Sequence, residues 1–172
     1  MNNYHEAPMK AHRTIATLLV TLFFTAIAGA QIGLYAGFSG THLNTPSGTS
    51  TIYGPLFGFY AQHGRPLAIG ADVRASLFNH TGAHFNTIAV GPRIAIHPPV
   101  LPLKPYFEVL GGLASYGNSS TSLYFNYQFL GGVDLTILPR IDWRVIEYDY
   151  SALADNSANT KTLTTGVVLR LP

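Results

Sequence analysis

Apolar and polar side chains alternate with a period of two along residues 31–172, most clearly in three blocks. In Ser122 to Ile137, Leu123, Phe125, Tyr127, Phe129, Val133, Leu135 and Ile137 share one face, opposite Asn126, Gln128, Gly132, Asp134 and Thr136. Leu67 to Phe78 sets Leu67, Ile69, Ala71, Val73, Ala75 and Leu77 against Gly70, Asp72, Arg74 and Ser76. Phe85 to Ile96 sets Ile88, Val90, Pro92, Ile94 and Ile96 against Thr87, Ala89, Gly91, Arg93 and Ala95. Successive side chains of a strand point to opposite faces, so each block predicts a β-strand with one greasy face.

Eight such segments follow one another: Gln31 to Phe38, Thr51 to Tyr60, Leu67 to Phe78, Phe85 to Ile96, Lys104 to Tyr116, Ser122 to Ile137, Ile141 to Tyr150 and Thr160 to Leu171. Turn-rich stretches separate them, the longest being Ser39 to Ser50, His97 to Leu103 and Ser151 to Asn159. Most segments are long for a globular strand and suit a tilted crossing of a hydrocarbon layer. The pattern predicts an all-β chain of eight antiparallel strands in an up-and-down transmembrane β-barrel.

Composition decides which face is outside. The chain is 47% hydrophobic, 12% aromatic and only 10% charged, whereas a soluble domain of this size carries about a quarter to a third charged residues on its surface. A soluble ligand-binding barrel would hide its greasy face and need a charged exterior. Here the polar face is mostly Gly, Ala, Thr, Asn and Ser, which suits a crowded eight-stranded lumen. Lipid is the better solvent for the greasy face, Val133 and Leu135 included. The formal net charge of +2 gives no reason to expect a nucleic-acid partner, and the absence of cysteine excludes disulfides and thiolate chemistry.

The first thirty residues follow a different rule. A basic stretch with Lys10, His12 and Arg13 precedes an apolar run from Thr14 to Ala28 and the small residues Ala28, Gly29 and Ala30. That order predicts a cleavable signal peptide over 1–30, with the barrel over 31–172. The run is short of the roughly twenty apolar residues of a spanning helix, and no later run is longer. Met9 is an alternative start to Met1.

Aromatic residues gather at strand ends, as interfacial girdles require. Tyr53, Phe78, Phe85, Phe125, Tyr148 and Tyr150 fall toward the outer rim with Tyr127 nearby, and Phe57, Phe59 and Trp143, beside Tyr60 and Tyr106, fall toward the periplasmic one. On the polar face, Asp72, Arg74, Arg93, Glu108 and Asp134 fall at similar depths on four strands. Unpaired charge in a narrow lumen is costly, so these residues are expected to pair across strands, with one carboxylate in need of a further donor or a proton. In the seventh segment Glu147 and Asp149 have one parity and Asp142 and Arg144 the other. Glu147 and Asp149 are expected inside, with Arg144 near the periplasmic rim or shifted by a bulge.

Candidate chemistry is thin. His42, His63, His80, His84 and His97 lie in or beside connections, and Ser76, Ser115 and Asp155 lie near the outer rim, without a spacing that recommends a triad. His80 and His84 alone are too few for a metal site. No catalytic residue, metal or other cofactor is expected.

The ordered set Gly70-Ala71-Asp72-Val73-Arg74, Val90-Gly91-Pro92-Arg93, Pro105-Tyr106-Phe107-Glu108-Val109-Leu110-Gly111-Gly112, Leu130-Gly131-Gly132-Val133-Asp134, Trp143 to Tyr150 and Leu163 to Val168 resembles the small bacterial outer-membrane β-barrel domain family, similar to OmpA/OmpX-type barrels. The resemblance implies an eight-stranded barrel in the outer membrane of a Gram-negative bacterium, exported through the secretory pathway. Its partners would be outer-membrane lipids and, during insertion, the barrel-assembly machinery. It implies no single activity; full strand coverage with a plugged-looking polar face points to a structural or surface-interaction role, the strands of an expected monomer anchoring exposed loops. The alternatives are a narrow ion-conducting pore through the charged lumen or a lipid-modifying enzyme. Family members usually end on an aromatic residue, whereas this chain ends Leu169-Arg170-Leu171-Pro172.

Overall fold

The computed structural model describes residues 30–45, 48–80, 83–117, 122–154 and 158–171. The predicted signal peptide up to residue 29, and Asp155, lie outside the described residues. Eight strands follow in chain order: β1 (Gln31–Thr45), β2 (Gly48–His63), β3 (Leu67–His80), β4 (Ala83–Ile96), β5 (Leu103–Gly117), β6 (Ser122–Leu138), β7 (Ile141–Leu153) and β8 (Asn159–Leu171). Each pairs antiparallel with the next, and β8 returns to β1 through a register running from Ile32↔Leu171 to Asn44↔Asn159. Closure removes every sheet edge, which allows such a sheet to satisfy its backbone without water.

The alternation sorts the faces as the sequence reading expects. Ile69, Ile88, Val90, Ile94, Phe107, Phe129 and Val167 face outward and are exposed. Asp72, Arg74, Arg93, Glu108 and Asp134 face inward and are buried. The outward apolar stretch of β3 runs from Leu67 to Leu77, near the height of the apolar band on such barrels.

The strands run further than the sequence reading allowed. Ser39 to Ser50 was expected as an outer loop, yet β1 continues to Thr45 and β2 begins at Gly48. Ser151 to Asn159 shortens in the same way, because β7 reaches Leu153 and β8 starts at Asn159. The reason lies in the hydroxyl residues, which face the lumen rather than solvent. Ser39 bonds Thr164 at 2.7 Å and Thr41 bonds Thr162 at 2.9 Å across the β1–β8 seam. Thr is β-branched and fits a pleated surface, so a stretch read as turn-rich is strand. Outside, His42, Asn44, Thr49 and Thr51 make a polar collar beyond the apolar belt.

Two aromatics assigned to the outer girdle are inside it. Phe78 and Phe85 are buried, stacked at 6.4 Å, within a cluster that includes Leu43, Ile52, Ala114 and Leu153, with Tyr124 packed against it. Their parity explains this: Phe78 is in phase with Arg74 and Ser76, and Phe85 with Thr87 and Ala89. Tyr53, Phe57, Phe59, Phe125, Tyr127, Trp143 and Tyr148 face outward and are exposed, whereas outward Tyr150 is half-buried.

Val90→Arg on the outward face is expected to cost about 2–4 kcal/mol in denaturant unfolding from phospholipid vesicles, since Val90 lies near mid-belt. Thr49→Arg in the collar is expected to change stability by less than about 0.5 kcal/mol. Equal costs at the two sites would contradict the assignment of belt and collar.

Candidate functional site

The lumen holds a charge network assembled from five strands, β3 to β7. Arg74 of β3 is its first hub. Its Nη2 donates to Glu147 Oε2 at 2.8 Å, and its guanidinium lies 3.8 Å from Glu108, 3.7 Å from Asp149 and 4.0 Å from Asp72. Arg93 of β4 donates to Glu108 directly across the β4–β5 pair and lies 3.4 Å from Asp134 of β6. Arg144 of β7 donates from Nε to Asp134 Oδ1 at 3.1 Å and from Nη1 to Glu147 Oε2 at 2.9 Å. All seven network residues expected from the sequence converge here, and Arg144 is the further donor that Asp134 needed.

Arg144 is at the centre of the network, not the periplasmic rim, and a β-bulge puts it there. The β6–β7 pairing shifts between Val133↔Ile146 and Asp134↔Arg144, and the β7–β8 pairing shifts between Arg144↔Gly166 and Glu147↔Thr164. One extra residue at Val145–Ile146 reverses the parity of β7. Asp142 and Arg144 before it and Glu147 and Asp149 after it therefore all point inward. Asp142, which was not placed inside from the sequence, pairs with Lys104 at 2.8 Å and Arg170 at 3.0 Å at the lumen mouth.

Three tyrosines complete the network. Arg93 lies between the rings of Tyr60 and Tyr106, 4.2 and 4.0 Å from their centroids. Arg144 lies between Tyr35 and Tyr106, at 4.2 and 4.8 Å. A desolvated guanidinium gains about 2 kcal/mol from an aromatic face, so the stack offsets part of the burial cost that the carboxylates leave. The hydroxyls are used as well: Tyr35 donates to Asp72 at 2.7 Å and Tyr106 to Glu147 at 2.6 Å. Glu147 Oε2 thus accepts from Arg74, Arg144 and Tyr106 together.

Sequence reasoning placed Tyr60 and Tyr106 at the rim and did not single out Tyr35. A signal was present in the glycines. Tyr60 pairs with Gly33, Tyr35 with Gly58 and Tyr106 with Gly132, and each ring lies over its partner glycine. A Cβ at Gly132 would meet Tyr106 Cζ at 2.7 Å. Inward tyrosines need glycine opposite because a narrow barrel has no other room for the ring.

Beyond the charges lies a polar layer in which Asn126 bonds Ser151 at 2.6 Å and Gln128 at 3.2 Å, and then the apolar cluster around Phe78 and Phe85. The arrangement is suited to cross-bracing and sealing a lumen. Among the described residues no group of three His, Asp or Glu is placed to hold a metal ion. The catalytic candidates are dispersed: His42 bonds Thr51 on the exposed collar, His97 bonds Gln62 at the opposite mouth, and Ser76 faces the lumen.

Glu147→Ala strips a carboxylate from two buried guanidiniums and is expected to destabilise the barrel by about 3–5 kcal/mol. Tyr106→Phe removes one hydrogen bond to the same carboxylate and is expected to cost about 1.5–3 kcal/mol. Urea unfolding in vesicles, followed by tryptophan emission from Trp143, measures both. A smaller effect for Glu147→Ala than for Tyr106→Phe would contradict the central place given to the carboxylate.

No protein-family model matches the sequence, and no curated protein matches it significantly. Solved structures match its fold. Neisserial surface protein A superposes with a TM-score of 0.62 at 16% identity, over 81% of this chain and 97% of that one. Ail, the attachment invasion locus protein of Yersinia pestis, crystallised with the heparin analogue sucrose octasulfate, superposes with a TM-score of 0.58 at 13% identity, over 83% and 99%. A de novo designed transmembrane β-barrel superposes with a TM-score of 0.51 at 14% identity, over 83% and 97%. By these likenesses the chain has the fold of the small eight-stranded outer-membrane barrels.

Proposed function

We propose that this chain is an integral outer-membrane β-barrel protein with a structural or surface-interaction role. Its belt anchors it in lipid, and its outer strand ends present a polar collar to the exterior. The observation that carries this reading is the reversal of the usual arrangement of a soluble protein. Large apolar side chains are exposed around the whole belt, while the charges are buried within it. Water is a poor solvent for such a surface, and a hydrocarbon layer is a good one.

The fold likeness supports the same placement, because the similar structures include a designed transmembrane barrel and a neisserial surface protein. The surface role rests on the collar rather than on long loops, since the outer connections are short between extended strands. The buried network, followed by the Phe78 and Phe85 cluster, favours a sealed lumen over the narrow pore. The dispersal of His42, His97 and Ser76 gives a lipid-modifying reaction no assembled nucleophile and base.

Expressed as the full chain in a Gram-negative host, the protein is expected in the outer-membrane fraction, migrating faster on a gel when unheated than when boiled. Planar-bilayer recordings of the purified barrel are expected to show no steps above background. A monodisperse, detergent-free soluble monomer would contradict the membrane placement. Regular conductance steps altered by Arg93→Ala would replace the sealed anchor with a pore.

A further inference from the structure

The barrel mouth beside the start of β1 and the end of β8 carries a second cluster of charge, opposite in sign to the lumen network. A cavity of about 620 Å3 opens there, within the size range of small-molecule sites. Arg65, His97, Lys104 and Arg170 converge on it from the β2–β3 turn, the β4–β5 connection, β5 and β8. Asp142 lies beneath, fully buried, and answers Lys104 and Arg170 together, while Arg65 stands exposed. Among the described residues, Asp142 against Arg65, Lys104 and Arg170 leaves a positive mouth. Deeper in, three guanidiniums serve five carboxylates, so the formal charge changes sign along the axis.

The mouth is held in shape by its connections. His97 N donates to Pro66 O at 2.6 Å, Thr136 N to Pro102 O at 3.0 Å and Arg170 N to Arg140 O at 2.7 Å. Pro66, Pro98 and Pro99 supply a stiff apolar wall beside the cations. Gln62 ties the wall to the network, accepting from Arg93 Nε through Oε1 at 3.2 Å and contacting His97 Nε2 through its Nε2 at 3.2 Å. Because the Arg93 bond fixes the amide, Gln62 Nε2 is the donor and His97 Nε2 the acceptor, so the imidazole is neutral and carries its proton on Nδ1.

We propose that this vestibule is a binding site for a phosphate group carried on a small organic body. Arg65 and Arg170 would offer guanidinium forks to the phosphate oxygens, Lys104 a point charge, and the proline wall a surface for the body. The inference goes beyond the anchoring role and rests on the mouth geometry, not on which membrane holds the barrel.

His97 couples the site to pH. Burial, and then the charges of Lys104, Arg65, Arg93 and Arg170, hold its imidazole below the usual histidine range; the described carboxylates on this side are Asp142, paired with Lys104 and Arg170, and Asp134, opposite Lys104 across the β5–β6 pair. A bound dianion opposes those cations and favours the imidazolium. Binding then takes up a proton and tightens as pH falls into the histidine range, until the phosphate itself protonates near about pH 6.

The shared chemistry has two sources, a soluble organophosphate or a phospholipid headgroup at the barrel mouth. The test is isothermal titration of the full barrel in dodecyl maltoside micelles with pyrophosphate at low ionic strength, each variant first checked for heat-modifiable migration. One saturable site is expected, at least tenfold weaker in Arg65→Gln and in Arg170→Gln, with the His97 ring titrating at higher pH when pyrophosphate is present. Arg65 is exposed in a turn, so its variant keeps the test sharp if Arg170→Gln fails to fold. Displacement of pyrophosphate by dihexanoyl phosphatidylglycerol but not by dihexanoyl phosphatidylcholine would assign the site to a headgroup. Retention against both would assign it to a soluble phosphate. Absence of saturable binding, or equal affinity in wild type and Arg65→Gln, would overturn the proposal.

Discussion

Charge buried inside a closed barrel must be answered by charge from another strand, and the rest of this structure accommodates that demand. The backbone ladder joins each strand only to its two neighbours. The network joins strands that the ladder does not: Arg74 to Glu147 links β3 with β7, Arg93 to Asp134 links β4 with β6, and Tyr35 to Asp72 links β1 with β3. These contacts cross the lumen and fix the barrel's cross-section. Breaking one partner leaves an unanswered charge in a low-dielectric interior, which costs far more than the pair itself contributes.

Several local features follow from that demand. The bulge at Val145–Ile146 interrupts two ladders, and it brings Arg144 to Asp134 and Glu147 at once. Glycines at 33, 58 and 132 give up side-chain packing so that three tyrosine rings can lie across them and face the guanidiniums. Along the axis the interior is graded from a cationic mouth, through the carboxylate-rich network and a hydroxyl and amide layer, to an apolar seal. The exterior carries none of this charge pattern, only a belt that lipid tolerates and a collar that water does.

Much of this was legible in the sequence, and the failures have physical reasons. Strict period two in β3, β4 and β6 fixed which residues face lipid and brought Asp72, Arg74, Arg93, Glu108 and Asp134 to one lumen. The same parity places Phe78 and Phe85 inside, although their position near strand ends is also that of girdle aromatics. In β7 parity alone has no answer, because a single inserted residue brings both charge sets inward. Tyr60 and Tyr106 read as rim aromatics and Tyr35 was not singled out, since their glycine partners are identified only once the register is known. The Ser- and Thr-rich strand ends read as loops for a related reason: hydroxyls that bond each other across a seam have the composition of a turn.

The central claim is that the greasy face meets lipid while the charged face is sealed within. Single-cysteine scanning of β4 tests it directly, since the chain contains no native cysteine to interfere. In reconstituted vesicles, spin labels at Ile88→Cys, Val90→Cys and Ile94→Cys should be relaxed by oxygen dissolved in the bilayer and unaffected by a water-soluble nickel chelate. Ala89→Cys and Ala95→Cys should resist a membrane-impermeant thiol reagent from either side. Rapid aqueous labelling at Ala89→Cys, or nickel-sensitive labels at Val90→Cys, would contradict the account.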